Sequence, residues 1–210
     1  MLTHRSIADI PEAALVKRLI TDPYWRWRLL QIYGIPADSI PFPSVPLRGL
    51  TGQSQGDVDI LLSVPGRPDL ATAIEVKIIK VGAAALRNQT PNKLRGFKEG
   101  VRQSNRLARI GFSQVYLYVF VVVDSREKNA GRITYEGLPP ELRRLIERAI
   151  SPSGLDTRVG LMYHELVQPM DNEPLGTGTY SGHLVRLAEL AAQPAELTAW
   201  VAQATSAGAA

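Results

Sequence analysis

The stretch of sequence that decides the fold is DVDILLSVPGRPDLATAIEVKIIK, residues 57–80. Two apolar runs rich in β-branched residues lie on either side of PGRP, residues 65–68. Such runs around a segment that contains proline and glycine predict a strand, a tight turn and a returning strand. We therefore expect residues 57–80 to form a hairpin at one side of a β-sheet.

Four charged residues stand inside the apolar runs of this hairpin. Asp57 and Asp59 belong to the first strand, and Glu75 and Lys77 belong to the second. Side chains two positions apart on a strand point to the same face, so the members of each pair share a face. A charged side chain in such an apolar strand is unfavourable unless it is paired with an opposite charge or has a functional role. If the register of the hairpin aligns the strands, two carboxylates and an amine converge at one place.

The sequence after the hairpin alternates between helical and strand patterns. Residues 93–110 have apolar positions at helical spacing and end at Gly111. The run VYLYVFVVV at 115–123 has no polar alternation, which predicts a central strand covered on both faces. A helix is expected at 139–150 and another strand at 158–168. The order of elements indicates an α/β fold with a mixed central β-sheet flanked by helices.

The sequence before the hairpin predicts two short helices and a connector. The helices are EAALVKRLI at 12–20 and YWRWRLLQIY at 24–33, each with start signals in front of it. Tyr24, Trp25 and Trp27 are most simply core and surface anchors of the second helix, and base stacking is the alternative. The segment IPADSIPFPSVP at 35–46 contains four prolines, so we expect a stiff surface connector there.

At 210 residues the chain has the length of one domain. We expect a single domain over residues 1–195 whose core lies at about 56–124. A closing helix is expected from Ser181 towards Leu190, after a flexible glycine-rich loop. Residues 196–210 are expected to form a disordered C-terminal tail, because the last of them lack bulky apolar groups.

Composition restricts the kinds of site and the compartment. The chain has no cysteine, so disulfides and thiolate zinc sites are excluded, and its three histidines are too scattered to suggest a metal cluster. No apolar run reaches the length of a membrane span, and charged residues interrupt the apolar positions near the N-terminus. We therefore expect a cytoplasmic protein that does not associate with a membrane.

Basic residues are concentrated after the hairpin. Between Val76 and Ile110 nine Lys or Arg stand against one acidic residue, Glu99. Most of the basic residues of the expected helix recur at spacings of three and four, which places them on one side of it. The basic stripe consists of Arg95, Lys98, Arg102, Arg106 and Arg109, and Lys93 lies just before it. Such a stripe suits the phosphate backbone of a nucleic acid, although a solvated helix face is an equally good explanation from charge alone.

The segments DVDILL and IEVK resemble the motif of the PD-(D/E)XK nuclease superfamily, in which an acidic residue on one strand precedes a Glu-x-Lys triplet on the next. The resemblance covers roughly residues 56–124 and implies a restriction-endonuclease-like core. It implies that Asp59, Glu75 and Lys77 are catalytic. It also implies that Asp59, Glu75 and the backbone carbonyl of Val76 bind Mg²⁺, which Mn²⁺ can replace.

Three more residues are candidates for the same site. Many members of the superfamily carry a metal-binding glutamate on the first helix, which corresponds here to Glu12. Some members have a glutamine on the helix after the motif, which corresponds to Gln103. Asp57 is a second acidic candidate on the first strand, and Val58 stands where the family's name-giving proline is usual.

The resemblance and the basic stripe together predict a magnesium-dependent nuclease that hydrolyses phosphodiester bonds, DNA being favoured over RNA and endonuclease action over exonuclease action. Two alternatives remain open. Asp57 and Asp59 also resemble the Asp-x-Asp metal motif of nucleotidyltransferases, and the chain can equally be a nucleic-acid-binding module of the same fold without catalysis. Because cutting a duplex often needs two active sites, a homodimer is plausible.

Overall fold

The computed structural model describes residues 4–30, 35–50, 56–88, 95–130, 136–150, 152–171 and 179–207. The strands are β1 (Ile40–Pro46), β2 (Asp57–Val64), β3 (Arg67–Val81), β4 (Gln114–Asp124), β5 (Val159–Gln168) and β6 (Thr179–Arg186). The helices are α1 (Glu12–Thr21), α2 (Pro23–Leu30), α3 (Ala83–Asn88), α4 (Arg95–Ile110), α5 (Arg126–Asn129), α6 (Pro140–Ala149) and α7 (Ala195–Ala207). A short 3-10 turn, Ile7–Asp9, precedes α1.

The six strands form one mixed sheet in the order β1-β2-β3-β4-β5-β6. Strands β3, β4 and β5 run parallel to one another at the centre of the sheet. Strands β1 and β2 on one side and β6 on the other are antiparallel to their neighbours. The expectation of an α/β fold with a mixed sheet flanked by helices is confirmed.

The hairpin expected at 57–80 is formed by β2 and β3. Ile60 lies opposite Ile74 and Leu61 lies opposite Ala73, and the turn passes through Gly66 at a positive φ of 71°. Strand β4 is central, and all of its residues are buried, as the run of apolar residues predicts. The hairpin and β4 together fix the position of β3 in the middle of the sheet.

Each face of the sheet is covered by a different set of helices. On one face, Ala73, Ile79 and Leu117 pack with Phe97 of α4 and with α7. On the other face, Ile74, Val76 and Tyr118 pack with apolar residues of α1 and α2. Because side chains alternate along β3, Glu75 and Lys77 lie on the same face as Ala73 and Ile79, beneath α4.

No helix in the part of the chain that the structure describes is long and apolar enough to cross a membrane.

The stiff connector expected at 35–46 is partly wrong, because residues 40–46 form β1 at the edge of the sheet. Its residues pair with β2 from Ile40 opposite Ser63 to Pro46 opposite Asp57. An edge strand needs hydrogen bonds on one side only, so it tolerates proline where a central strand does not. Three of the seven residues of β1 are prolines.

The helix expected from Ser181 towards Leu190 is also wrong. Residues 179–186 form strand β6, which pairs antiparallel with β5 from Leu161 opposite Arg186 to Val167 opposite Thr179. The strand forms because the open edge of β5 supplies hydrogen-bond partners, and this tertiary context outweighs local preference. The part of the expected glycine-rich loop at 176–178 lies outside the described residues.

The disordered tail expected at 196–210 is wrong over most of its length, because residues 195–207 form helix α7. Leu197, Trp200 and Val201 of this helix are buried in the core beneath the sheet. The indole of Trp200 stands edge-on to Phe112 at 6.2 Å and donates its N–H to the carbonyl oxygen of Arg48 at 3.1 Å. Helix α7 is therefore part of the domain.

We expect Trp200→Phe to lower the free energy of unfolding by about 1–3 kcal/mol, because the carbonyl of Arg48 loses its donor in a partly buried position. Urea denaturation of the two proteins measures the difference. Trp27→Phe is the matched control, since Trp27 is half-exposed, and we expect it to change stability by less than about 0.5 kcal/mol. Equal stability of Trp200→Phe and the unaltered protein would contradict the packing of α7.

Candidate active site

The candidate site lies where β2 and β3 separate. The register of the two strands ends at Ile60 opposite Ile74, and Asp59 comes next on β2. The Asp59 carboxylate accepts a hydrogen bond from the backbone N–H of Val76 at 2.7 Å. The side chain of Asp59 on β2 thus accepts the hydrogen bond of a backbone N–H of β3 that lies beyond the last paired residues of the two strands. This contact fixes Asp59 beside Glu75 and Lys77.

The ammonium group of Lys77 is held by three oxygen atoms. Its Nζ lies 2.7 Å from Glu75 Oε1 and 3.1 Å from Glu12 Oε1. It also donates a hydrogen bond to the carbonyl oxygen of Val76 at 2.9 Å. The side chain of Lys77 is 12% exposed and that of Glu75 is 3% exposed, so the pair is largely shielded from water. Strand β3 and the start of α1 therefore meet at one positive charge, and Asp59 of β2 lies close enough to influence it.

The site contains more negative than positive charge. Burial raises the pKa of Glu75 to about 7, and the nearby carboxylate of Asp59 adds to the rise, whereas Lys77 opposes it. Burial also raises the pKa of Asp59, although the hydrogen bond from Val76 lowers it. With Glu12, three carboxylates surround one ammonium, and the remaining negative charge favours a further cation.

The pKa of Lys77 is affected by two opposing influences. Burial, the largest single influence, lowers the pKa, but the carboxylates of Glu75, Glu12 and Asp59 together raise it by more than burial lowers it. The result is a pKa above the ordinary value for lysine, so the side chain is an ammonium at neutral pH. Lys77 is therefore a proton donor and a positive charge in this arrangement.

The donor atoms of the site fit a hard divalent cation. The available donors are carboxylate oxygens of Asp59, Glu75 and Glu12 and the carbonyl oxygen of Val76, and oxygen is the ligand that Mg²⁺ prefers. Oxygens of Glu75, Glu12 and Val76 already surround a positive charge, the ammonium of Lys77. Within the described ranges, no three His, Cys, Asp or Glu side chains are grouped closely enough to hold a metal ion by themselves. A cation here would therefore draw on the backbone carbonyl and on water as well as on carboxylates.

Helix α4 touches the site through Gly100. A Cβ atom at Gly100 would lie 2.6 Å from Cγ of Lys77 and 3.0 Å from Cδ1 of Leu117, which is too close for either neighbour. Glycine is therefore required for α4 to lie directly on the stem of Lys77. Gly100 was not among the residues expected at the site. The signal in the sequence was a glycine in the interior of a helix, where it weakens the helix and so calls for a packing reason.

The structure places the two remaining candidates at the margin of the site. Gln103 is one turn after Gly100 on α4, and its Oε1 is buried without a hydrogen bond to any described residue. Asp57 is exposed at the start of β2, opposite Pro46, and its charge contributes to the raised pKa of Asp59. Neither residue contacts Lys77 or Glu75 in the described hydrogen bonds and ion pairs.

The basic stripe of α4 is divided by the structure. Lys98, Arg102 and Arg109 are exposed on the outer side of the helix, and Arg102 is paired with Glu99 at 2.6 Å. Arg106 is half-buried, with its guanidinium beside Gly56 at the beginning of β2. Lys93 and the side chain of Arg95 lie outside the described residues. Gly100 contacts the site from the inner side of the same helix.

The strand residue His164 belongs to the core. Its ring stacks on Phe120 at 4.6 Å with an angle of 14° between the rings. Burial lowers the pKa of His164 to about 3, so the imidazole is neutral at physiological pH. It lies on the face of the sheet opposite to Lys77, which agrees with a role in packing.

Comparison with known proteins adds little to this description. No family model matches the chain, and no curated protein matches it. Among the similar solved structures is SfsA of Pyrococcus furiosus in complex with Ca²⁺, at 12% identity and a TM-score of 0.35. The match covers 84% of this chain and 62% of that one, so this chain spans less than two thirds of the length of SfsA. A likeness at this TM-score carries no weight for function.

Proposed function

We propose that the protein is a magnesium-dependent nuclease of the PD-(D/E)XK kind, with a restriction-endonuclease-like core and duplex DNA as the favoured substrate. One observation carries the proposal. Asp59 from β2, Glu75 and Lys77 from β3, and Glu12 from α1 come together at the point where the hairpin opens, and they do so inside an otherwise apolar sheet. The burial of charged groups of this kind is unfavourable for folding, which favours a functional role for these residues.

Asp59, Glu75, Glu12 and the carbonyl oxygen of Val76 would hold the divalent cation. When bound, such a cation neutralises phosphate charge and lowers the pKa of water. The chain's own contribution is to position the oxygens. The Val76 N–H holds Asp59, and the carbonyl of the same residue, Val76, is the backbone ligand. A single stretch of β3, residues 75–77, therefore supplies two ligands and the ammonium.

Lys77 would act on the phosphate and on the attacking water. Its ammonium is already directed at the carboxylates, and one N–H can turn to a phosphate oxygen that lies beside them. The raised pKa of Lys77 keeps the proton on the nitrogen, so we assign Lys77 to stabilising negative charge and to donating a hydrogen bond. Gly100 keeps the lysine stem in place from the side of α4.

The proposed DNA path runs along the outside of α4. Lys98, Arg102 and Arg109 are exposed there, and they can contact successive phosphates while Gly100 on the inner side touches Lys77. Phosphate contacts of this kind supply affinity without sequence specificity. The cytoplasmic location and the homodimer stay predictions.

A metal-titrated cleavage assay tests the proposal. We expect cleavage of supercoiled plasmid with Mg²⁺ or Mn²⁺ and none with EDTA, and we expect Asp59→Asn to abolish it. Asp69→Asn is the matched control, because Asp69 is an exposed residue of β3 that pairs with Arg67. Linear duplex DNA, single-stranded DNA and RNA in parallel reactions identify the substrate.

Two results would contradict the nuclease. Nucleotide incorporation that requires Asp57 but not Lys77 would identify a nucleotidyltransferase instead. Metal-independent binding of nucleic acid, without cleavage under any metal, would identify a binding module. In the first case Asp59→Asn should abolish incorporation, because Asp59 belongs to the Asp-x-Asp pair, and in the second case it should leave binding unchanged.

Gly100→Ala is expected to reduce cleavage by about tenfold to a hundredfold, because the new Cβ displaces the stem of Lys77 or lifts α4 from β3. Gly96→Ala is the matched control on the same helix, since a Cβ there meets no atom within 4 Å. The control should keep full activity and gain stability, because alanine is the better helix former. Equal activity of the two variants would show that Gly100 does not position Lys77.

A further inference from the structure

The outer surface of α2 exposes two large aromatic side chains. Tyr24 is 49% exposed and Trp27 is 52% exposed, while Trp25 and Leu29 on the opposite side of the helix are buried against the sheet. Trp25 and Leu29 are sufficient to anchor α2. The packing of the domain therefore gives no reason for aromatic residues at 24 and 27, and a half-exposed tryptophan loses stabilisation that burial would supply.

The two exposed rings are already ordered. The guanidinium of Arg28 lies 5.1 Å from the centre of the Trp27 ring and 5.4 Å from the centre of the Tyr24 ring. Tyr24 also stands edge-on to the buried Trp25 at 5.3 Å. Each contact is within the range of a favourable cation–π or aromatic interaction. Rings that are fixed before binding lose less conformational freedom when a ligand stacks on them.

Positive charge accompanies the rings. Helix α2 has the sequence PYWRWRLL and contains no acidic residue. Asp22, just before the helix, caps the N–H of Tyr24 at 3.0 Å and pairs with Arg18 at 3.2 Å, so its charge is compensated. A surface of open aromatic faces with arginines between them is typical of proteins that bind unpaired nucleotides.

The surface is connected to the candidate active site through helix α1. Helix α2 packs on α1, and the first residue of α1, Glu12, contacts Lys77. A helix of ten residues is about 15 Å long, so a nucleic acid strand that reaches Lys77 can reach α2 within a few nucleotides. Helix α4 with its basic stripe lies on the other face of the sheet, so the two surfaces are separate.

We propose that Trp27 and Tyr24 form a stacking surface for the bases of a single-stranded or locally unpaired nucleic acid, with the exposed Arg26 available to its phosphates. This inference rests on the proposed function only in taking nucleic acid as the ligand. It adds that the strand presented to Lys77 is unpaired on the α1 and α2 side. Stacking is insensitive to sequence because every base has an aromatic face, so the surface selects unpaired structure.

Binding without cleavage tests the inference separately from catalysis. The probes are a fluorescein-labelled oligothymidylate and a duplex of the same length, titrated in EDTA so that no metal-dependent reaction occurs. We expect Trp27→Ala to weaken binding of the single strand by about 5- to 150-fold, which corresponds to one stacked base. Duplex binding should change by less than about threefold. Trp27→Phe should retain most of the single-strand affinity because it keeps an aromatic face.

Control variants and salt dependence sharpen the result. Leu190→Ala removes an apolar side chain that is more exposed than Trp27, 68% against 52%, and should leave both affinities unchanged. Arg26→Ala should reduce the salt dependence of single-strand binding by about 0.7 in log–log slope, the value for one phosphate, whereas Trp27→Ala should leave the slope unchanged. Replacing oligothymidylate by oligouridylate shows whether the sugar matters.

Several outcomes would overturn the inference. They are single-strand binding that does not depend on Trp27 or Tyr24, equal losses for single strand and duplex, or no nucleic acid binding at all in EDTA. Metal-dependent cleavage of single-stranded DNA that is unaffected in Trp27→Ala and Tyr24→Ala would also overturn it while leaving the nuclease intact. Conversely, Trp27-dependent binding in a protein that cleaves nothing would support the surface and reject the nuclease.

Discussion

Replacing Lys77 by methionine is expected to lower metal-dependent cleavage by about 10²- to 10⁴-fold, the usual contribution of a group that transfers or stabilises charge at a reacting centre. Methionine keeps a long unbranched stem beside Gly100 and Leu117, so the packing of α4 is preserved. The ammonium contact with Glu75 and Glu12 is lost. The measurement is the cleavage rate at saturating metal, with folding checked by circular dichroism.

The control for this substitution lies on the same strand. Lys80 is three residues further along β3, so its side chain points to the opposite face, and Lys80→Met should retain the full rate. Lys77→Arg should not restore activity, because a guanidinium is larger and planar and cannot take the position of the compact ammonium between the carboxylates. A rate for Lys77→Met within a few-fold of the unaltered protein would remove Lys77 from the mechanism.

Glu75→Gln is expected to abolish cleavage and, without metal, to stabilise the fold at alkaline pH. The pKa of Glu75 rises from 4.5 to about 7 on folding, mainly through burial. A carboxyl whose pKa is raised in the folded state contributes stability below its unfolded pKa and loses that contribution as the pH rises through its folded pKa. The loss occurs between about pH 4.5 and 7 and corresponds to about 3 kcal/mol.

Stability curves of the two proteins at pH 4.5 and pH 8 in EDTA measure this effect. The free energy of unfolding of Glu75→Gln, relative to that of the unaltered protein, should be higher at pH 8 than at pH 4.5, because glutamine does not titrate. Glu165→Gln is the matched control, since Glu165 is a buried carboxylate that accepts two hydrogen bonds from Arg143, at 3.0 and 3.1 Å. That change should destabilise the protein by about 1–3 kcal/mol at pH 8. A pH-independent difference for Glu75→Gln would contradict the burial of an ionised carboxylate at the site.

The elements that the sequence predicts correctly are those whose signal is local. The hairpin follows from two apolar runs and the turn at 65–68, and β4 follows from an unbroken apolar run. Strand β6 and strand β1 depend on a partner, because β5 and β2 supply the hydrogen bonds that hold sequences containing glycine or proline. Helix α7 had a local signal, the helical spacing of Leu197, Trp200 and Val201, which the small residues after it obscured.

The contacts of the candidate site also divide into those with a local signal in the sequence and those that depend on tertiary packing. Alternation along the strands and the short turn place Asp59 next to Glu75 and Lys77, so their proximity could be predicted from the sequence. The contact of Glu12 with Lys77 depends on how α1 packs against the sheet, and only the resemblance to known nucleases suggested it. The close approach of Gly100 to Lys77 depends on the position of α4, which periodicity does not give. The direction of the shift in the pKa of Lys77 depends on how many carboxylates surround it, and the sequence does not give that number.

The proline content of β1 makes the two borders of the sheet unequal. Pro41, Pro43 and Pro46 have no N–H to offer to an added strand, so this border resists extension by another chain. Among the described strands, β6 is the opposite border, and it has prolines at none of its eight positions. Any dimer that joins two sheets edge to edge would therefore meet through β6 about a two-fold axis. Such a contact closes on itself, since the border that each copy retains is β1, whose prolines resist the addition of a further strand.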